Sequence, residues 1–163
     1  MDASKVKAKD LMQGNVARID AGTAVDEALS LLEADGISGA PVVDAGGRVV
    51  GVFSMTDVAR AKNSEERGIG SIRREYYMPT EGVDEEADEF SYKEDYSPAV
   101  LATGTVVEWM SEEVVFVTPD DSMRVVCKRM EEYGIHRVLV LEDDQLRGIL
   151  SSFDVVRWIA KNG

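Results

Sequence analysis

Two short segments pair a serine with an aspartate three residues on, each directly after apolar residues: Gly51-Val52-Phe53-Ser54-Met55-Thr56-Asp57 and Gly148-Ile149-Leu150-Ser151-Ser152-Phe153-Asp154. Each stands where a strand is expected to turn into a helix. Serine at the N-cap and aspartate at the third helical position form a capping arrangement and complement the helix dipole with no ligand. The same geometry has a chemical use. Free N–H groups at a helix start attract phosphate, hydroxyls add donors, and a carboxylate can accept both hydroxyls of a ribose.

His136-Arg137 is an adjacent pair of potential cations at a strand start, where it could equally be a solvated edge. Cys127 falls on the apolar stripe of a helix and is expected to be an inert core thiol, which rules out a nucleophilic pairing with His136. The single cysteine excludes an internal disulfide, and with only one histidine there is no Cys/His zinc site of the usual kind. Beside the two aspartates stands no separate nucleophile or set of metal ligands, so the chain is read as having no catalytic site.

The elements that position these residues come from a duplication. Residues 10–44 lie over 108–142 at a constant offset of 98, and after a one-residue deletion 51–60 lie over 148–157. Met12/Met110, Gly36/Gly134, Gly51/Gly148, Ser54/Ser151 and Asp57/Asp154 are among the 11 identical pairs. Each copy predicts a helical turn ending at Met12 or Met110, then a strand over Val16–Ile19 or Val114–Val117. Next comes a helix with its apolar face at Val25, Ala28, Leu29 and Leu32, or at Met123, Val126, Cys127 and Met130. Thr23 with Asp26 is expected to cap the first of these helices, Asp120 or Asp121 the second, and Gly36 and Gly134 to end them. Two strands follow, Ala40–Val43 and Arg48–Phe53 or Arg137–Leu141 and Leu146–Leu150, and a closing helix begins at Ser54 or Ser151. The order β-α-β-β-α predicts an α+β fold. With about 50 residues per copy, each is too small for a robust core alone, so the two are expected to pack sheet against sheet.

The expected boundaries are 1–62 for the first copy, 63–104 for an insert and 105–163 for the second. The insert holds 11 acidic and four basic residues, more than half of the chain's net charge of −13, with four of its five tyrosines. It reads as a long surface loop or a docking segment for a protein partner; its acidic run lacks the ligand spacing of an EF-hand. A chain this acidic is a poor match for nucleic acid or an anionic membrane. The N-terminus shows no signal peptide and no run approaches a membrane span, so a cytoplasmic protein is expected.

Both copies resemble cystathionine-β-synthase (CBS) domains. The resemblance covers about 5–62 and 104–161. It rests on the Met-ended first turn, Gly-Ile-Ser-Gly-Ala-Pro-Val-Val-Asp at 36–44, Gly-Ile-His-Arg at 134–137 and both Gly-h-h-Ser-x-x-Asp elements, h being apolar. Individually these are weak markers; duplicated in order they form the pattern of a paired, or Bateman, module. The long insert departs from the most compact pairs.

The resemblance implies a cleft for adenosyl ligands: AMP, ADP, ATP or S-adenosylmethionine. It implies ribose contacts from Asp57 and Asp154, and hydroxyl or phosphate contacts from Ser54, Thr56 and Ser151. Phe153, standing where the first copy has Thr56, lacks the hydroxyl but offers a wall for a base. Ala17, Val115, Ile37 and Ile135 match positions lining the adenine pocket, with Pro41 beside them, and His136 and Arg137 match a phosphate-contacting element. The first copy has Ser38-Gly39 in their place, so the two clefts should be unequal. A regulatory module is implied, with ligand binding passed to a partner as a change of shape. It also implies a flat homodimer, with Val58, Val155 and Trp158 as its apolar contacts. The rival reading is a ligand-free scaffold that keeps Ser-x-x-Asp for capping and binds a protein through the acidic insert.

Overall fold

In each copy a β-rich run, an amphipathic helix and a hairpin follow one another, and in the computed structural model these become two three-stranded sheets with flanking helices. The structure describes residues 5–55, 57–58 and 104–163. The expectations for Thr56 and, apart from Gly104, for the acidic insert fall outside the described residues.

The first copy comprises α1 (Ala8–Leu11), β1 (Ile19–Asp20), α2 (Val25–Ala34), β2 (Gly39–Val43) and β3 (Val49–Ser54). The second has a 3-10 turn (Val106–Glu108), β4 (Phe116–Val117), α3 (Met123–Tyr133), β5 (Arg137–Glu142), β6 (Gln145–Ser151) and α4 (Ser152–Asn162). Both sheets share one plan. The short first strand runs parallel to the second, which pairs antiparallel with the third. Gly36 (φ +63°) and Gly134 (φ +61°) end their helices in the left-handed region, as expected of glycine there.

The copies interlock by exchanging their leading segments. Met123 N–H donates to Val6 O, Ala8 N–H to Asp121 O and Lys9 N–H to Pro119 O; at the equivalent positions, offset by 98, Val25 N–H donates to Gly104 O, Val106 N–H to Thr23 O and Val107 N–H to Ala21 O. Ala8 belongs to the core of Val126, Leu139 and Leu150, while Val106 belongs to the core of Leu32, Val42 and Phe53. Each copy's core is thus closed by the other's leading turn, which suits units too small to fold alone.

This exchange explains three departures from expectation. The helix starts at Val25 and Met123 receive a carbonyl from the opposite copy, so neither Thr23 with Asp26 nor Asp120 or Asp121 caps them; the N-cap residues are Ala24 and Ser122, without side-chain bonds. Asp121 instead accepts from Thr118 N–H at 2.7 Å, and Asp120 accepts from Lys7 and Lys9 at 2.7 and 2.8 Å. These ammonium groups hold the Asp120 carboxyl at a pKa of about 2, so the clasp persists until pH falls through that value. β1 and β4 are also shorter than expected, two residues each, because the chain before them crosses between the copies.

Two more expectations fail. Cys127 is exposed, because the buried face of α3 runs through Met123, Val126 and Met130 and turns Cys127 past its edge; partial desolvation still raises the thiol pKa. Val58 is 2% exposed and packs into the first core, so it is no surface contact for a dimer.

Gly51 and Gly148 are identical for a packing reason. A Cβ on Gly51 would lie 2.6 Å from Ser111 O and 2.7 Å from Met110 Sδ; one on Gly148 would lie 2.7 Å from Gln13 O and 2.9 Å from Met12 Sδ. The Met of each exchanged segment therefore seats on the glycine of the opposite copy. Gly51→Ala and Gly148→Ala should each destabilise the protein by about 1–3 kcal/mol through overpacking. Gly22→Ala, with open space around the added Cβ, should change little. Urea midpoints of the three variants decide this.

Candidate functional site

Antiparallel register brings the end of each third strand beside the start of the second. In the first copy Ser54 pairs with Gly39, and in the second Ser151 pairs with Arg137. The Ser-x-x-Asp turn and the Gly-Ile-His-Arg element therefore meet at one edge of the sheet. The backbone repeats the contact in both copies: Met55 N–H donates to Ser38 O at 3.0 Å, and Ser152 N–H to His136 O at 2.8 Å.

Both aspartates turn back on their serines. Asp57 Oδ2 accepts from Ser54 N–H at 2.7 Å and Ser54 Oγ at 2.8 Å, with both residues at most 3% exposed. Asp154 Oδ2 accepts from Ser151 N–H at 2.9 Å and Ser151 Oγ at 2.6 Å, and Asp154 N–H returns a bond to Ser151 Oγ at 3.3 Å. The capping arrangement is thus present in full in the second copy. It also occupies amides that an anion could have used: at the start of α4, Ser152 N–H and Asp154 N–H both have protein partners. The helix start is a poorer phosphate cradle than its sequence suggests, and an anion there would depend on side chains.

Of those, His136 is exposed and Arg137 half-buried. Ile135 and Val115 are buried on neighbouring elements, with Leu139 N–H donating to Val115 O at 3.3 Å. In the first copy Ile37 is half-buried and Ala17 exposed. Pro41 is buried on β2 opposite Val52, two residues beyond Gly39 and so on the same face of the strand. The second copy thus gathers His136, Arg137, Ser151 and Asp154 at one sheet edge, whereas the first has Ser38 and Gly39 where His136 and Arg137 stand. Phe153 is 62% exposed and carries the Arg157 guanidinium 4.7 Å above its ring, so it does project from the turn.

A residue that the repeat pattern does not single out reaches this edge. Gln13 Nε2 donates to Asp154 Oδ1 at 3.2 Å across the junction of the copies, and its backbone is paired with Ile149 in both directions, at 2.8 and 3.0 Å. Its counterpart Ser111 makes the same backbone pair with Val52, at 2.9 Å each way. Because the two residues differ in type, the list of identical pairs passes over them.

An open concavity of about 500 Å³ lies elsewhere, lined by Arg18, Asp20, Gly22, Asp44 and Gly47. It sits where β1 and β2 end, at the opposite end of the sheet from Ser54, and so apart from the Ser-x-x-Asp turns. Its Asp44 is already engaged by Arg48 and by the Gly46 and Arg48 amides, which hold its carboxyl below the usual range. Among the described residues, no group of three His, Cys, Asp or Glu could hold a metal ion, and no helix is long and apolar enough to cross a membrane.

Comparison with known proteins agrees with this architecture. The chain is 20% identical over 154 residues to the uncharacterized protein MJ1225 of Methanocaldococcus jannaschii; the match covers 94% of this chain and 43% of that protein, so the chain spans less than half of its relative. The fold is similar to the CBS domain pair of protein MJ0100 in complex with 5′-methylthioadenosine and S-adenosyl-L-methionine, with a TM-score of 0.62, 20% identity, and coverage of 97% and 98% of the two chains. It is also similar to CBSX2 in complex with AMP, with a TM-score of 0.64, 22% identity, and coverage of 96% and 97%. The CBS domain family matches residues 8–64 and again 106–161. These two matches take in most of the chain and coincide with its two interlocked copies, and the protein therefore belongs to the CBS domain family as a tandem pair.

Proposed function

We propose that this protein is a regulatory module that binds an adenosine-containing ligand, AMP, ADP, ATP or S-adenosylmethionine, between its two copies and carries out no chemistry of its own. The observation that carries the reading is the gathering of His136, Arg137, Ser151 and Asp154 at one sheet edge. A carboxylate suited to a ribose and an imidazole and a guanidinium suited to a phosphate come together there, next in sequence to the buried Ile135. The complexes of similar pairs with AMP and with 5′-methylthioadenosine and S-adenosylmethionine support the ligand class.

In this reading Asp57 and Asp154 hold the ribose hydroxyls, and Ser54, Thr56 and Ser151 add hydroxyl contacts. Ala17, Ile37, Pro41, Val115 and Ile135 flank the base, and His136 with Arg137 faces the phosphate. The boundaries 1–62, 63–104 and 105–163 belong to the same proposal, as do a cytoplasmic location and a signal to a protein partner. A homodimer would use α4, which exposes Phe153, Val156 and Ile159, with Val155 and Trp158 half-buried.

One observation favours the scaffold reading instead. Each Ser-x-x-Asp turn is well bonded within the protein, so capping alone accounts for these residues. Thermal denaturation against adenosine, AMP, ADP, ATP and S-adenosylmethionine separates the two. A ligand at 100 times its Kd adds about 2.7 kcal/mol, or roughly 5–10 °C for a chain of this size. No shift with any of them at millimolar concentration would leave the scaffold.

A further inference from the structure

We infer that Gln13 guards the second cleft, competing with a ligand's diol for Asp154 and linking the occupancy of that cleft to the exchanged N-terminal segment. The inference rests on the adenosyl reading above and adds to it a residue from the opposite copy. Asp154 Oδ2 already accepts two bonds from Ser151, so its two lone-pair positions are filled. A diol placed on this carboxylate must therefore turn to Oδ1. That oxygen also has two positions, and the Gln13 amide fills one of them at 3.2 Å, leaving a single position for the two hydroxyls of a diol, while Arg157 stays 4.0 Å away on an exposed side chain and contributes little.

The guard can yield without unfolding the junction. Gln13 is exposed, and its backbone pair with Ile149 is independent of its side chain. Swinging the amide away breaks one bond to a carboxylate and removes one of the side-chain ties between segment 7–13 and the second copy. The remaining ties include the backbone bonds of Ala8, Lys9 and Gln13, the ion pairs of Lys7 and Lys9 with Asp120, the packing of Ala8 and the seat of Met12 on Gly148. In the first copy the corresponding side chain is that of Ser111, too short for the same reach, so the guard belongs to one cleft only.

The test is calorimetric titration of the full-length chain with adenosine and with 2′,3′-dideoxyadenosine, comparing wild type with Gln13→Ala. Removing the competing amide should tighten adenosine binding about 3–10-fold and leave the analogue that lacks the diol unchanged. Equal or weaker adenosine binding in Gln13→Ala overturns the inference, as does an equal gain for the analogue. A second arm needs no ligand: hydrogen exchange at residues 7–13 should speed several-fold in Gln13→Ala, which leaves the Ser151–Asp154 cap intact. If neither protein binds adenosine, the adenosyl reading fails, and exchange alone decides the latch. Faster exchange in Gln13→Ala upholds it, and an unchanged rate overturns it.

Discussion

Asp154→Ala is expected to weaken adenosine binding about 100-fold while lowering stability by only about 1 kcal/mol. A carboxylate that accepts ribose hydroxyls makes charge-assisted bonds, each worth roughly 1.5–3 kcal/mol, and alanine removes them together. On the stability side the substitution removes a partly buried capping carboxylate whose serine retains access to solvent. Asp57→Ala should cost as much affinity in the first cleft but more stability, about 1–3 kcal/mol. Ser54 is 2% exposed, and its N–H and hydroxyl both donate to Asp57, so the change leaves buried donors behind. Titration calorimetry with adenosine, set beside thermal melts of the same variants, separates the effects. Lower melting temperatures with unchanged affinity in both variants would return the aspartates to capping alone and discard the ribose assignment.

The sequence made the local parts of this fold legible because their causes are local. The apolar spacing of Val25, Ala28, Leu29 and Leu32 marks α2 without knowledge of its neighbours, and turn residues between apolar runs mark both hairpins, Gly46-Gly47 in the first and Asp143-Asp144 in the second. The duplication adds the pairing of Ser54 with Asp57 and of Ser151 with Asp154, since both capping groups lie within four residues of one another. What stayed hidden is non-local. The opposite copy supplies the carbonyls that satisfy the starts of α2 and α3, so the capping residues expected from the sequence, Thr23 and Asp121, have other duties. Gln13 reaches Asp154 across 141 positions of chain, and no periodicity reports such a contact. A trace of the exchange was present all the same. Met12 and Met110 are identical, as are Gly51 and Gly148, and each methionine rests on the other copy's glycine. Cys127 failed for a different reason: a buried stripe four residues wide in sequence is only three wide on α3, because its flank meets solvent.

Arg137→Ala is expected to reduce AMP binding by about 1.5–3 kcal/mol, a loss of roughly 10- to 150-fold, with adenosine affinity nearly unchanged. Arg137 opens β5 opposite Ser151, so its guanidinium starts from the edge where Asp154 would hold the ribose. The fork of N–H donors suits the phosphate of a bound nucleotide, and the backbone leaves it little help, since Ser152 N–H and Asp154 N–H are committed within the protein. His136 stands next in sequence and exposed, a second donor for the phosphate through its ring N–H. Arg137→Lys should fall between wild type and alanine, because a point charge retains the attraction without the two-pronged geometry. The first copy carries Gly39 at the matching position, so the discrimination between AMP and adenosine should be confined to the second cleft and appear in one of two binding events. Salt must be held fixed across the series. A chain of net charge −13 repels an anion, and screening that background raises apparent AMP affinity for reasons unrelated to Arg137. If Arg137→Ala loses adenosine and AMP affinity equally, the side chain acts by holding the β5 edge in shape, and the phosphate assignment of His136 and Arg137 falls.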